Sequence, residues 1–206
     1  MTNPLKCHGR RFAEAVCAGH PDRLADSIAD GIVALATARD PEALVGVEVA
    51  LHRSVVFVDG RIAAGFGAEC AVTEAELEGV AREAYARAGY DDTFEPAPPR
   101  VEVRFDLCLG PLEPEERAFR RVADDQVIGV GYACAGERAG LVPLEQGLAR
   151  DFARAIEGFP TGRRKAWIGP DGKVLVVVRG RRLEAVSLSL HHGASADWLK
   201  LCALAK

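Results

Sequence analysis

Helical and strand periodicities alternate along this chain in short, well-bounded runs, and that alternation limits the fold more than any other feature. From Pro21 to about Arg39, Leu24, Ile28, Ile32 and Ala36 recur every four residues, with Asp22 in the first turn. Thr73-Glu-Ala-Glu is a capping box that opens a second helix through about Ala88, stopped by Gly89. Leu144, Leu148, Phe152 and Ile156 set a third, from Pro143 to about Gly158. Between these lie strand runs: Leu44 to Leu51, Val55 to Val58, Val101 to Leu109, Val174 to Val178 and Leu183 to Leu190. Asp59-Gly60 predicts a two-residue hairpin turn into Arg61 to Gly67, and Arg179-Gly-Arg predicts another turn. Asp91 to Pro99 and Pro111 to Glu116 are loops. The pattern predicts an α+β fold of two similar lobes, each of mixed strands with helices on one face. The boundary falls near residues 110–120, giving lobes of residues 7–115 and 116–206.

Composition narrows the functional classes. Twenty-six basic residues against 30 acidic ones leave a net charge of −4. A general nucleic-acid or membrane-surface binder rests on positive charge, so neither is expected as a partner, although a local basic pocket for phosphates is compatible. The six cysteines, Cys7, Cys17, Cys70, Cys108, Cys134 and Cys202, contain no C-x-x-C pair, so reduced thiols are expected rather than a zinc site. No run of apolar residues reaches membrane-spanning or signal-peptide length, which predicts a cytoplasmic protein. Arg163-Arg-Lys and Arg179-Gly-Arg-Arg are basic clusters that suit either solvated turns or phosphate contacts. His191 and His192 are adjacent on a strand and so face opposite ways, which makes a poor metal pair. The Gly-x-Gly stretches at Gly65 and Gly129 lack a βαβ pattern, so no dinucleotide fingerprint is read from them.

The densest chemistry lies in Gly19-His-Pro-Asp-Arg-Leu-Ala-Asp, where a loop enters a helix. Pro21 fixes the first helical φ, and a helix N-terminus presents free N–H groups that suit a phosphate. Asp22 could hold Mg²⁺ beside it while His20 donates to a phosphate oxygen. On spacing alone, a capping loop with a surface histidine and aspartate explains the same residues.

That block resembles the Gly-His-Pro-Asp-Lys-hydrophobic-Ala-Asp signature of the S-adenosylmethionine synthetases. Three further blocks follow in that family's order. Glu48 stands where the family has a glutamate at its monovalent-cation (K⁺) site. Asp124-Asp-Gln-Val-Ile-Gly-Val-Gly-Tyr-Ala resembles a block that places Asp125 on a methionine-contacting aspartate. Trp167-Ile-Gly-Pro-Asp-Gly-Lys resembles another, implying a ribose contact for Asp171 and a triphosphate contact for Lys173. Ser187-Leu-Ser-Leu-His-His resembles the strand closing the family's central domain. The resemblance runs from about Phe12 to about His192 and corresponds to the first two of the family's three domains.

The resemblance implies an adenosyltransferase that joins a sulfur nucleophile, methionine or a related amino acid, to C5′ of ATP with release of triphosphate. His20 and Lys173 would be catalytic, His20, Asp171 and Lys173 would bind ATP, Asp22 would hold Mg²⁺, and Asp125 would contact the sulfur substrate. Arg61 stands where the family has the glutamate that receives the methionine ammonium, which implies altered specificity, because a guanidinium favours an anion. Its alternative is a plain ion pair with Asp59 or Glu69. Leu112 stands for a methionine-contacting glutamine. Cys17, near His20, is expected to be a small packing residue. The family's third domain, with its glycine-rich phosphate loop, has no counterpart in these blocks. That implies as the alternative a non-catalytic subunit pairing with a fuller synthetase. An uncovered apolar sheet face would call for a homodimer or hetero-oligomer.

Overall fold

In the computed structural model the described residues are 9–65, 69–119, 128–135, 139–158, 167–193, 196, 197, 199 and 202. The elements in chain order are β1 (Arg10–Val16), α1 (Pro21–Arg39), β2 (Leu44–His52), β3 (Val55–Ala63), α2 (Glu74–Ala88), β4 (Glu102–Gly110), α3 (Pro114–Phe119), α4 (Leu144–Glu157), β5 (Ile168–Arg179) and β6 (Arg182–His192). This is an α+β architecture with two three-stranded sheets, ordered β1-β5-β6 and β2-β3-β4. Two compact units contain them: one holds the described residues up to His20 and from Gly129 onward, the other Pro21–Ile128. The expected cut near 110–120 follows chain order, and the compact units depart from it at the N-terminus. The reason is β1, which pairs antiparallel with β5 from Arg10↔Arg179 to Val16↔Lys173.

In the β2-β3-β4 unit, α1 buries Leu24, Ile28, Ile32 and Ala36, the four residues that the periodicity selects. The α2 helix opens on a complete Thr73–Glu76 capping box and ends on a left-handed Gly89. Both pack on one side of the sheet, over buried Val56, Val58 and Ile62. The β2–β3 hairpin turns at Arg53-Ser54, with Arg53 at φ 56, and not at Asp59-Gly60. Asp59 and Gly60 lie inside β3, opposite Glu48 and Val47. Gly60 has φ 118, and a Cβ there would run into the carbonyl oxygen of Gly46. The Asp-Gly pair thus serves a close strand approach, while the strand runs on to bury Ile62 and Ala63. β3 and β4 pair in parallel around α2, a βαβ arrangement that the sequence reading did not anticipate. Cys70 still occupies the place of the third glycine after Gly65 and Gly67, so no dinucleotide fingerprint results.

The other unit packs α4 on one face of β1-β5-β6. Its core joins Cys17, Ala149, Ala153, Ile156, Ile168, Val174, Val176 and Val178, with Ala13 and Ala15 against them. β1 was not read as a strand because its inward residues, Ala13 and Ala15, are small, whereas its one large apolar residue, Phe12, faces outward and is 71% exposed. No helix among the described residues is long and apolar enough to cross a membrane.

Candidate functional site

The first candidate region lies at the start of β5. The Cys17 N–H donates to Gly172 O at 2.7 Å and the Gly19 N–H to Pro170 O at 3.1 Å, so the loop before α1 is strapped to Pro170–Gly172. Contact is so close that a Cβ on Gly19 would stand 2.6 Å from the Pro170 carbonyl carbon. Any other residue would force the strap open. The last residue of α4 fastens the loop from a third side, Glu157 Oε1 accepting from the Ala18 N–H at 2.6 Å. Cys17 is 1% exposed, and its sulfur packs against Gly172, the place of a packing residue. This fixes the half-buried His20 next to the chain segment that carries Asp171 and Lys173.

Pro170-Asp-Gly forms the irregular first part of β5, where the register with β6 shifts between Ile168 and Gly172. That shift sets Asp171 apart from the regular ladder. Its charge acts on His191, whose imidazole is pushed below its ordinary range by burial, with Asp171 pulling the other way. Sequence reasoning passed over Glu14 and Glu157 and weighed His191 only as a poor metal ligand; only contacts between distant segments give them a place here. Lys173 lies opposite Val16 and Ser189, and its Nζ is 2.8 Å from Glu14 Oε2 on an exposed face. The ammonium group is therefore balanced by a carboxylate that ligand charge can displace at small cost.

The second region belongs to the β2-β3-β4 unit. Asp22 is exposed in the first turn of α1. Glu48 is exposed on the sheet face away from the helices, in register with Asp59, which in turn faces Asp106. A row of like charges directly opposite one another is unfavourable, and a cation would relieve it. Among the described residues, however, no three His, Cys, Asp or Glu side chains converge closely enough to hold a metal ion. Arg61 pairs with neither Asp59 nor Glu69. Glu116 of α3 grips it with both carboxylate oxygens, Nη2–Oε2 being 2.9 Å, and the Pro111 carbonyl accepts from Nη2 at 3.2 Å. The guanidinium pulls the Glu116 carboxyl below its usual range. Leu112 is buried. Asp125 and the Arg163-Arg-Lys cluster lie outside the described residues, while Ile128, Val130 and Tyr132, which follow Asp125, are exposed.

Comparison with known proteins decides the kinship. Residues 11–106 match the S-adenosylmethionine synthetase N-terminal domain. The chain is a relative of the S-adenosylmethionine synthases. It is 31% identical to S-adenosylmethionine synthase 1 of Rhodopseudomonas palustris over 201 residues, covering 90% of this chain and 49% of that protein. The corresponding enzyme of Rhodospirillum rubrum is 32% identical with the same coverage, and that of Acholeplasma laidlawii 30% identical over 89% of this chain and 49% of its own. The chain thus spans about half the length of the curated relatives it matches. In this synthase relative, two of the blocks singled out in the sequence, His20 and Asp171–Lys173, adjoin through the Gly19 strap. Asp22, Glu48 and Arg61 belong to the other compact unit.

Proposed function

We propose that this chain takes part in adenosyl transfer from ATP to the sulfur of methionine or a related amino acid. In that reaction the sulfur lone pair attacks C5′, the C5′–O bond breaks, and triphosphate leaves with its electron pair. The observation that supports it best is the strap of Gly19 to Pro170, which holds the loop of His20 against the strand of Asp171 and Lys173. Catalysis of such a displacement is chiefly positioning and stabilisation of charge on the leaving group. His20 would donate to a phosphate or ribose oxygen, Lys173 would exchange Glu14 for the triphosphate, and Asp171 would accept from the ribose hydroxyls. Asp125 would contact the sulfur substrate. Asp22, an exposed carboxylate, has the hard oxygen donors that Mg²⁺ takes alongside substrate phosphates, and Mg²⁺ when bound would offset phosphate charge. Glu48 would offer one carboxylate oxygen to K⁺. Because Glu116 neutralises Arg61, the pair would favour neither a carboxylate nor an ammonium strongly, which leaves methionine less favoured than ATP.

We further propose cytoplasmic function as a homodimer or hetero-oligomer. The outer face of β1-β5-β6 supports this, since Phe12, Val177 and Ala185 form an apolar row there. The outer face of β2-β3-β4 is charged instead, with Glu48, Asp59, Arg61, Arg104 and Asp106. A second reading, a non-catalytic subunit serving a fuller synthetase, draws support from the neutralised Lys173 and Arg61. Incubating the purified protein with ATP, methionine and Mg²⁺ tests both. Methionine-dependent release of phosphate or triphosphate supports the enzyme. ATP binding by calorimetry without turnover supports the subunit, and no ATP binding at millimolar concentration removes both.

A further inference from the structure

At the opposite end of β5 from His20, the register aligns Arg10 of β1, Arg179 of β5 and Arg182 of β6 in one row across the sheet. Like charges directly opposite one another destabilise a sheet. One carboxylate answers two of the three: Glu184 takes both guanidinium nitrogens of Arg10, at 2.7 and 3.0 Å, and lies 3.1 Å from Arg179. Among the described residues no carboxylate pairs with Arg182. Arg181 of the turn adds a further cation beside it. In a chain of net charge −4, this end of the sheet is locally positive. A cavity of about 310 Å³ opens here, lined by Arg179, Arg182, Leu183 and Glu184.

We propose that this arginine row is a binding site for an oligophosphate, separate from the residues assigned to ATP above. Every cation in it is arginine, whose planar fork fits phosphate oxygens in pairs where lysine offers a point charge. Neighbouring strands are about 4.8 Å apart, so the row spans about 10 Å. A single phosphate cannot bridge that length, whereas linked phosphoryl groups can. The register shift between Val177 and Val178 allows Glu184 to reach Arg10 and Arg179. The Glu184 charge also competes with the ligand. Exposure of about 60% at Arg10 and Arg179 leaves both accessible.

Calorimetric titration of the full chain with inorganic triphosphate, at low salt with a chelator present, tests the site. Wild type should bind triphosphate at least about tenfold more tightly than monophosphate, and Arg182→Gln should weaken triphosphate about tenfold, the worth of one charge-assisted contact. Glu184→Gln should tighten it, and the Arg182→Gln effect should be the same on a Lys173→Ala background. Equal affinity in wild type and Arg182→Gln overturns the proposal, as does an Arg182→Gln effect that vanishes on the Lys173→Ala background, which would make the row part of the ATP site. If Arg182→Gln alters sedimentation but not triphosphate affinity, the row is an interface between copies and the proposal falls. All of these outcomes are independent of turnover with methionine.

Discussion

Lys173 and Glu14 meet on the solvent side of a sheet, with side chains 43% and 55% exposed. Exposed pairs of this kind contribute little to folding, so Lys173→Ala should change stability by less than about 0.5 kcal/mol. If Lys173 clamps the leaving triphosphate, the same change should lower turnover by a hundredfold or more, in the range seen for lost transition-state contacts. Thermal unfolding and steady-state rates measured on one preparation separate the two roles; unchanged turnover denies the clamp. The Arg61–Glu116 pair has a different signature, in acid. A glutamate in an unfolded chain titrates at about 4.3, and Arg61 keeps the folded Glu116 carboxyl below its ordinary value. Over that interval the unfolded chain binds more protons, so stability rises with pH. The contribution is complete above about pH 4.3 and disappears as pH falls through the folded value. With the pair 36% and 22% exposed, it should stay under about 1 kcal/mol. Denaturant midpoints of wild type and Glu116→Gln, followed from pH 6 to pH 3, should converge in acid. Arg61→Glu, which sets two carboxylates side by side, should gain no methionine affinity unless Glu116 is neutralised as well.

At the scale of elements, helices were the most legible. Their periodic residues and caps act within a few positions of one another, and Leu24, Ile28, Ile32 and Ala36 or Thr73 and Glu76 do in the fold what their spacing predicts. Strands were less so. Asp59-Gly60 carries a strong local turn signal, yet Gly60 is held at φ 118 inside β3 because Gly46 of β2 passes close to it. Gly60→Ala therefore meets both a left-handed φ and a backbone collision, and should destabilise the β2-β3-β4 unit by well over 1 kcal/mol. Moving the glycine by one residue should not rescue it. A Gly60→Ala protein with the wild-type denaturant midpoint would deny the close approach of Gly46 to Gly60. Asp40, buried at the end of α1, shows the complementary case. Its oxygens accept from the Gly65 and Glu42 N–H groups at 2.8 and 2.9 Å, a junction between elements with no local sequence signal.

For the molecule as a whole, β1 is the element that matters most. It is an edge strand, and it supplies Ala13 and Ala15 to a core otherwise made from Cys17 and residues after Gly129. A fragment of residues 21–128 should unfold cooperatively on its own. A fragment of residues 116–206 should not, because it exposes one edge of β5 and one side of its core; adding a peptide of residues 1–20 should restore the transition. Calorimetry of the three samples checks this, and a cooperative transition in 116–206 alone would show that β1 is dispensable. The sequence by itself determined the α+β class, the limits of α1, α2 and α4 and the blocks that resemble the synthases, since all of these rest on short-range periodicity or on runs of residues read in order; α3, read as part of a loop, was not among them. Only the tertiary structure decided that β1 joins β5, that Gly19 straps His20 to the strand of Asp171 and Lys173, that Arg61 belongs to Glu116, and that three arginines share one row. The first two and the row depend on strand pairing across distant segments, and the Arg61–Glu116 pair on contact between residues 55 positions apart; each is settled by which faces can be buried together, not by any residue's neighbours in the chain.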